Sequence, residues 1–307
     1  MRSVFLGTPA AAVPSLAALI DVADVGLVVT QPDRARGRSG TKLASPVKRA
    51  AEEWGLPVAQ PADKAELFGA LSGSVFDVGL VAAYGELLQP KVLELAKYGF
   101  LNVHCSLLPR WRGPAPVERA ILAGDETTGV SLMVIDEGLD TGPVVAVIET
   151  PISEDETGGS LTGRLSYLGS MLVDDALPEY LAGRLEPAPQ IDAGSSSAGM
   201  LDPNEARIDG TFPVETAERA IRAFHPRPGA WLMIDGVRHK LIEAAHVNSR
   251  VPPGLVEAVD GVPVAGFDQG SLELLILQPE GKAPQAGSAW LNGRRGEGGV
   301  IEPGATS

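Results

Sequence analysis

Cysteine is almost missing from this chain of 307 residues, which has a single one, Cys105. One thiol permits no disulfide within the chain, so the disulfide-stapled secreted domains are set aside and a cytoplasmic setting is expected. No apolar run is long enough to span a bilayer, and no membrane partner is expected. The opening Met1-Arg-Ser-Val-Phe-Leu-Gly7 enters a strand pattern without the apolar core and cleavage site of a signal peptide. Surplus positive charge is missing as well. With 25 Lys and Arg against 39 Asp and Glu, the formal net charge is −14, which excludes a wholly basic nucleic-acid-binding surface but not a local one. Gly7-Thr-Pro-Ala-Ala-Ala12 lacks the glycine-rich phosphate turn of dinucleotide oxidoreductases. His225, His239 and His246 have no metal-ligand spacing, and no metal is expected. There is no long internal repeat.

What is present is a globular balance, 44% hydrophobic and 21% charged, at a length for which two domains are the default. The first part alternates short apolar runs with helical stretches. Ser3–Leu6, Val25–Thr30, Phe76–Ala83, Phe100–Val103 and Val130–Ile135 read as strands. Ala11–Ile20, Ser45–Trp54 with Pro46 near its start, and Pro116–Ala123 read as helices. This alternation predicts an α/β domain with a parallel-rich sheet wrapped by helices, in which ligands bind at the carboxyl ends of the strands. Gly7-Thr-Pro9, Gln31-Pro-Asp33, Tyr84-Gly85 and Asn102–His104 all fall there. Gly158–Tyr180 is again helical, with Leu161, Leu165, Leu168 and Leu172 at spacings of three or four. The Pro-, Gly- and Ser-rich run from Leu185 to Gly199 reads as a linker. Beyond it, one helix at Val214–Phe224 precedes strands at 230–234, 237–245, 254–259, 262–266 and 272–277, a small OB-like β-barrel. The expected division is a catalytic domain at 1–185, a linker at 186–205 and a barrel at 206–307.

The densest polar cluster is Asn102-Val-His104-Cys-Ser106, followed later by Gly138-Leu-Asp140-Thr-Gly142. On an extended backbone Asn102, His104 and Ser106 project to one side and Cys105 to the other. An amide donor, an imidazole and a carboxylate converging in one place are what acyl-group transfer asks for. Each also has a plain structural reading, a satisfied histidine on a strand and a turn aspartate between glycines. Basic residues gather at Arg34-Ala-Arg36-Gly-Arg38-Ser-Gly-Thr-Lys42 and continue to Lys48 and Arg49, whereas many acids fall at Glu149–Glu156. By composition alone that run is equally a phosphate-binding patch or a solvated loop.

With these residues in view, the chain resembles the methionyl-tRNA formyltransferases over nearly its whole length. The matching segments are 2–9, Thr30-Gln-Pro-Asp-Arg34, Ser45-Pro-Val-Lys48, Ala83-Tyr-Gly85, 102–116 and Gly138–Gly142, with Ile221-Arg-Ala-Phe224, Pro228-Gly-Ala230 and Gln278–Lys282 near the end. The resemblance implies a Rossmann-like formyltransferase domain followed by an OB-like, tRNA-binding barrel. It implies transfer of formyl from 10-formyltetrahydrofolate to the α-amino group of methionyl initiator tRNA, in support of translation initiation. By the family's pattern Asn102, His104 and Asp140 are catalytic. Folate would meet Ser106, Leu107, Leu108, Pro109, Tyr84, Gly85, Leu87 and Leu88, and tRNA would meet Arg38, Arg36 and Lys42. A monomer is expected. The chain departs from many relatives at Ser197, Met200 and Gly210, where they carry Tyr, Lys and Trp, and at His225-Pro-Arg227, where Asn-Pro-Trp is common. The competing expectations are a sugar-nucleotide N-formyltransferase, a 10-formyltetrahydrofolate hydrolase, and an RNA-binding relative without catalysis.

Overall fold

A computed structural model describes residues 1–35 and 42–304, so the predicted tRNA contacts Arg36 and Arg38 lie outside the described residues. Among those described, no helix is long and apolar enough to cross a membrane. The chain forms two compact units, one of residues 1–116, 127–151 and 162–199, the other of 117–126, 152–161 and 200 onward.

The first unit holds a sheet of seven strands among the described residues. In chain order the elements are β1 (Arg2–Gly7), a 3₁₀ turn (Ala10–Ala12), α1 (Val13–Val22), β2 (Asp24–Val29), β3 (Arg34–Ala35), β4 (Lys42–Leu43), α2 (Pro46–Glu53), β5 (Val58–Ala59), α3 (Lys64–Ser72), β6 (Val78–Ala82), α4 (Pro90–Leu93) and β7 (Phe100–His104). There follow α5 (Pro116–Ala123), which after its first residue belongs to the second unit, β8 (Thr127–Val134), β9 (Val144–Pro151) and α6 (Gly158–Leu181), whose residues 158–161 also belong to the second unit. The order across the sheet is β5-β2-β1-β6-β7-β8-β9. The first five strands run parallel. The last two are antiparallel, because β8 and β9 pair as a hairpin across residues 135–143. Val78-Gly-Leu-Val-Ala82 is apolar throughout and buried throughout, as a central strand covered on both faces must be. On β9 exposed and partly covered residues alternate, the pattern of an edge strand, and its weaker apolar signal left it unread in the sequence.

Local sequence explains the helix starts. Ser45 caps α2, its Oγ accepting the Lys48 amide at 3.0 Å, with Pro46 in the first turn. Asp63 caps α3 by accepting the amides of Ala65 and Glu66 at 2.8 and 2.9 Å. The Ala11–Ile20 prediction resolves into the 3₁₀ turn and α1, with Pro14 in the helix's first turn, where its missing N–H costs nothing.

The second unit carries α7 (Val214–Ala223), β10 (Trp231–Ile234), β11 (Val237–Val247), β12 (Leu255–Val259), β13 (Val262–Phe267), β14 (Gly270–Pro279), β15 (Gln285–Ala286), α8 (Gly287–Gly293) and β16 (Gly299–Val300). Its antiparallel sheet runs β10-β11-β14-β13-β12-β16, with β15 on β14. A bridge from Ile234 to Ile301 nearly joins the two ends into a barrel. Val214, Ala217, Ala220 and Ile221 give α7 one buried stripe, and with Phe224, Phe267, Leu241, Leu274 and Trp290 they form the core.

Inside that core His239 is held as the neutral Nδ1–H tautomer. Its Nδ1 donates to the Val237 carbonyl at 2.8 Å, and its Nε2 accepts from Trp290 Nε1 at 3.0 Å. Burial, and after it the nearby Arg294, pushes its pKa below the ordinary histidine value. The unfolded chain therefore binds the extra proton more readily. Stability is fully present above about pH 6.5, falls as pH drops below that value, and is lost through the lower folded value. Trp290→Phe leaves Nε2 without its donor, and thermal unfolding at neutral pH should show a loss of about 1–3 kcal/mol. An unchanged midpoint would mean that this hydrogen bond contributes nothing.

Candidate active site

Strand β7 sets the first two residues. Its register against β6 and β8, Val81 with Asn102 and Ser131 with His104, fixes the alternation so that Asn102 and His104 share a face. Both reach one carboxylate. Asn102 Nδ2 donates to Asp140 Oδ1 at 3.3 Å, and His104 Nδ1 lies 3.7 Å from Asp140 Oδ2. The main-chain N–H of Gly113 donates to the same Oδ2 at 2.8 Å. His104 Nε2 sits 2.9 Å from the Trp111 carbonyl, which can only accept, so Nε2 carries a hydrogen. Nδ1 is then the nitrogen that can change its proton, and at 3.7 Å it is too far from the carboxylate for a hydrogen bond.

The loop after β8 presents Asp140 by a folded turn. Asp136 Oδ1 accepts from the Gly138 amide at 3.0 Å and from Thr141 Oγ1 at 2.7 Å. Asp140 adopts φ +53°, a left-handed conformation costing a non-glycine residue about 1–3 kcal/mol. Trp111 and Ala83, at φ +61° and +46°, share this strain. Among the described residues these are the non-glycine residues of the first unit at positive φ; Asp235, Asp260, Gln269 and Arg295 share the conformation in the second unit.

Ser106 does not join Asn102 and His104. The strand ends at His104, and the buried Ser106 hydroxyl donates to the Arg110 carbonyl at 2.6 Å while its own carbonyl accepts from Ser131 Oγ at 2.7 Å. It braces the 106–110 turn. Leu107, Leu108 and Pro109 in that turn are half-buried, and Leu87 is exposed. The ring of Tyr84 is buried in the core, and burial, with the nearby Glu86 adding to it, pushes its pKa up to about 12. Its carbonyl accepts from Thr8 Oγ1 at 3.3 Å, and Gln31 Nε2 donates to Glu86 at 3.1 Å, which ties the loops after β1, β2 and β6 together. Gly85 supplies the turn at φ +91°, with Leu88 half-buried beyond it.

Lys42 is exposed on β4, which pairs antiparallel with β3. Lys48 Nζ meets Asp33 at 2.8 Å and Gln60 at 2.7 Å, and Gln60 Nε2 donates to Asp33 Oδ1 at 2.7 Å. The Lys48 hydrogen bond, then that of Gln60, holds the Asp33 carboxyl below its usual range.

The barrel has a cationic cluster that sequence reading missed. The guanidinium groups of Arg238 and Arg207 lie 4.1 and 5.4 Å from the Trp231 ring centroid. Lys240 is Trp231's cross-strand partner. Burial, then Arg227 and Arg238, pushes the Lys240 pKa down. Cations crowded in this way gain from a bound anion. Arg238 and Lys240 share one face of β11, and strand pairing brings Trp231 and Arg207 to them.

Comparison with known proteins agrees with this arrangement. Residues 1–177 match the formyl transferase family, and residues 200–295 match the formyl transferase C-terminal domain. A methionyl-tRNA formyltransferase of Halorhodospira halophila is 47% identical over 303 residues, covering 96% of both chains. One of Myxococcus xanthus is 46% identical, covering 96% of this chain and 95% of its own. Among solved structures, an N-formyltransferase of Helicobacter canadensis in complex with folinic acid and dTDP-3-aminofucose superposes with a TM-score of 0.68 at 19% identity, over 89% of this chain and 98% of that one. HypX of Aquifex aeolicus in complex with tetrahydrofolic acid gives 0.64 at 18% identity, over 95% of this chain and 47% of that one. At such identities the likeness is one of fold.

Proposed function

This chain belongs to the methionyl-tRNA formyltransferase family, and we propose that it moves the formyl group of 10-formyltetrahydrofolate onto the α-amino group of methionyl initiator tRNA through Asn102, His104 and Asp140. The observation that carries this reading is the meeting of the Asn102 amide, the His104 Nδ1 edge and the Gly113 N–H on the Asp140 carboxylate.

The amine nitrogen attacks the formyl carbon, and the carbonyl electron pair moves to oxygen. Asn102 has a second amide hydrogen beyond the one given to Asp140, and a protonated His104 Nδ1 adds another donor, so the two hold the oxyanion. Asp140 takes the proton from the attacking nitrogen, directly or through water. When the oxyanion collapses, the bond to the folate nitrogen breaks and that nitrogen receives the proton that Asp140 took from the amine, which restores the carboxylate. The products are formylmethionyl-tRNA and tetrahydrofolate. The formyl group is already activated as an amide of the folate, so the step needs no metal.

For the folate, exposed Leu87 and half-buried Leu88, Leu107 and Leu108 offer apolar cover, and Gln89 Oε1 is a buried acceptor without a hydrogen-bond partner that would take a pterin donor. For the tRNA, Arg38, Arg36 and Lys42 serve the acceptor stem, a role carried by the family resemblance. The barrel's Arg207, Arg238 and Lys240 supply phosphate contacts. The setting is the cytoplasm and the working form a monomer.

The test is transfer of labelled formyl from 10-formyltetrahydrofolate to methionyl initiator tRNA, methionyl elongator tRNA, an amino-sugar nucleotide and water. Selective transfer to initiator tRNA is expected, and transfer to another acceptor overturns the assignment. Arg238→Ala should raise the KM for tRNA about threefold to tenfold, leave that for folate alone, and reduce the salt slope of tRNA binding by about one. An unchanged salt slope would remove Arg238 from the tRNA surface.

A further inference from the structure

The run 185–199 looked like a loose linker because Pro, Gly and Ser dominate it, and it forms no regular element of its own. It is nonetheless bonded along both edges. At one end Ala188 and Val144 exchange both main-chain hydrogen bonds at 2.8 Å. At the other, the Arg112 amide donates to the Ser196 carbonyl at 2.9 Å, the Ala198 amide to the Arg112 carbonyl at 2.6 Å, and the Ala115 amide to the Ala198 carbonyl at 3.2 Å. The strap thus staples the loop that carries Trp111 and Gly113 to the loop that carries Asp140.

We propose that this strap positions the His104–Asp140 pair through Gln190 and Ser196, an inference that rests on the catalytic reading above. Gln190 Nε2 spends one hydrogen on the Asp140 carbonyl at 2.9 Å and the other on the Gly142 carbonyl at 2.7 Å. Arg112 can only donate, and its Nε meets Gln190 Oε1 at 3.0 Å, so the orientation of the amide is settled. The strained residue's own carbonyl and that of Gly142, two residues on, are therefore fixed by one planar group. That restrains Asp140 at φ +53° and aims its carboxylate. Ser196 works on the partner. Its Oγ accepts the Trp111 amide at 2.9 Å, which fixes the peptide unit whose residue carries the carbonyl holding His104 Nε2 at 2.9 Å. Neither Gln190 nor Ser196 touches the reacting face, so both are positioning residues.

The experiment is single-turnover and steady-state formylation by the full-length protein carrying Gln190→Met, a side chain of similar size with no donor. A loosened carboxylate should lower kcat about tenfold to a hundredfold, with KM for tRNA and folate within about twofold of the parent. The pH profile of kcat should shift in Gln190→Met and stay put in Trp290→Phe, which weakens the fold elsewhere. Because Gln190 acts through Asp140, the double variant with Asp140→Asn should be no slower than Asp140→Asn alone. Parental kcat in Gln190→Met, or losses that multiply in the double variant, would overturn the proposal. Near-parental turnover by Asp140→Asn alone would instead overturn the catalytic reading. Should Gln190→Met fail to fold, Ser196→Ala removes a single hydrogen bond and should still lower kcat at constant KM, and a parental kcat there counts against the strap.

Discussion

Asp140→Asn should slow single-turnover formylation by about 10³-fold, within the range that general acid–base groups supply. The substitution is nearly isosteric. An asparagine carbonyl can still accept from Gly113 N–H, which the carboxylate now does at 2.8 Å, or from Asn102 at 3.3 Å. The loop carries its left-handed residue at a position where asparagine is as well tolerated as aspartate. The fold should therefore survive, with a thermal midpoint close to that of the parent. What disappears is the acceptor for the amine's proton and the charge facing His104 Nδ1. An amide NH₂ turned toward that edge would also set a donor against a donor whenever His104 is protonated. Rapid-quench measurement at saturating tRNA and folate isolates the chemical step, because neither substrate touches the loss through binding alone. A rate within about tenfold of the parent would take proton transfer away from Asp140.

The parts of this protein legible in its sequence are those whose pattern is local. Phe76–Ala83 reads as a strand from its short apolar run and proves to be one over Val78–Ala82, and the helical readings at Pro116–Ala123 and Gly158–Tyr180 match helices there. Asn102 and His104 share a face because alternation on β7 is a property of the strand itself. Ser106 broke that reading because the strand stops two residues earlier and a turn spends its hydroxyl on Arg110. The meeting of His104 with Asp140 goes with a left-handed backbone at Asp140, which aspartate tolerates but does not require, so the residue type alone did not announce the turn. Gln190 was hidden for a different reason. A side chain that reads two carbonyls fifty residues away leaves no mark in a Pro-, Gly- and Ser-rich run, and composition reports only that no helix or strand forms there. Around Trp231, Arg238 and Lys240 share a face of β11 by alternation, but Arg207 and Trp231 join them only through pairing and register, so the cationic face as a whole left no mark in the sequence.

Gly113→Ala separates the geometry of the site from its chemistry, and its expected effects are large in both stability and rate. Gly113 sits at φ +120°, a conformation rarely open to alanine. A Cβ there would lie 2.7 Å from the Ala198 carbonyl oxygen and 3.2 Å from its carbon, both backbone atoms held by the strap. Relief requires either parting the 112–115 and 196–198 segments or rotating the Gly113 peptide, and rotation takes its N–H off Asp140. Strain of about 1–3 kcal/mol combines with a lost hydrogen bond to a charged group worth about 1.5–3 kcal/mol. For a protein of this size that total corresponds to a fall in Tm of roughly 5–15 °C. Turnover should drop about a hundredfold at temperatures where the variant is still folded, because Asp140 loses the donor that fixes its Oδ2. Gly55→Ala is the matched control. Gly55 has φ +71° with nothing within 4 Å of the added Cβ, so it should cost only about 1 kcal/mol and leave turnover at the parental rate. If Gly113→Ala and Gly55→Ala behave alike in both calorimetry and turnover, the close approach to Ala198 and the hydrogen bond to Asp140 contribute nothing, and a left-handed backbone is all that position 113 requires.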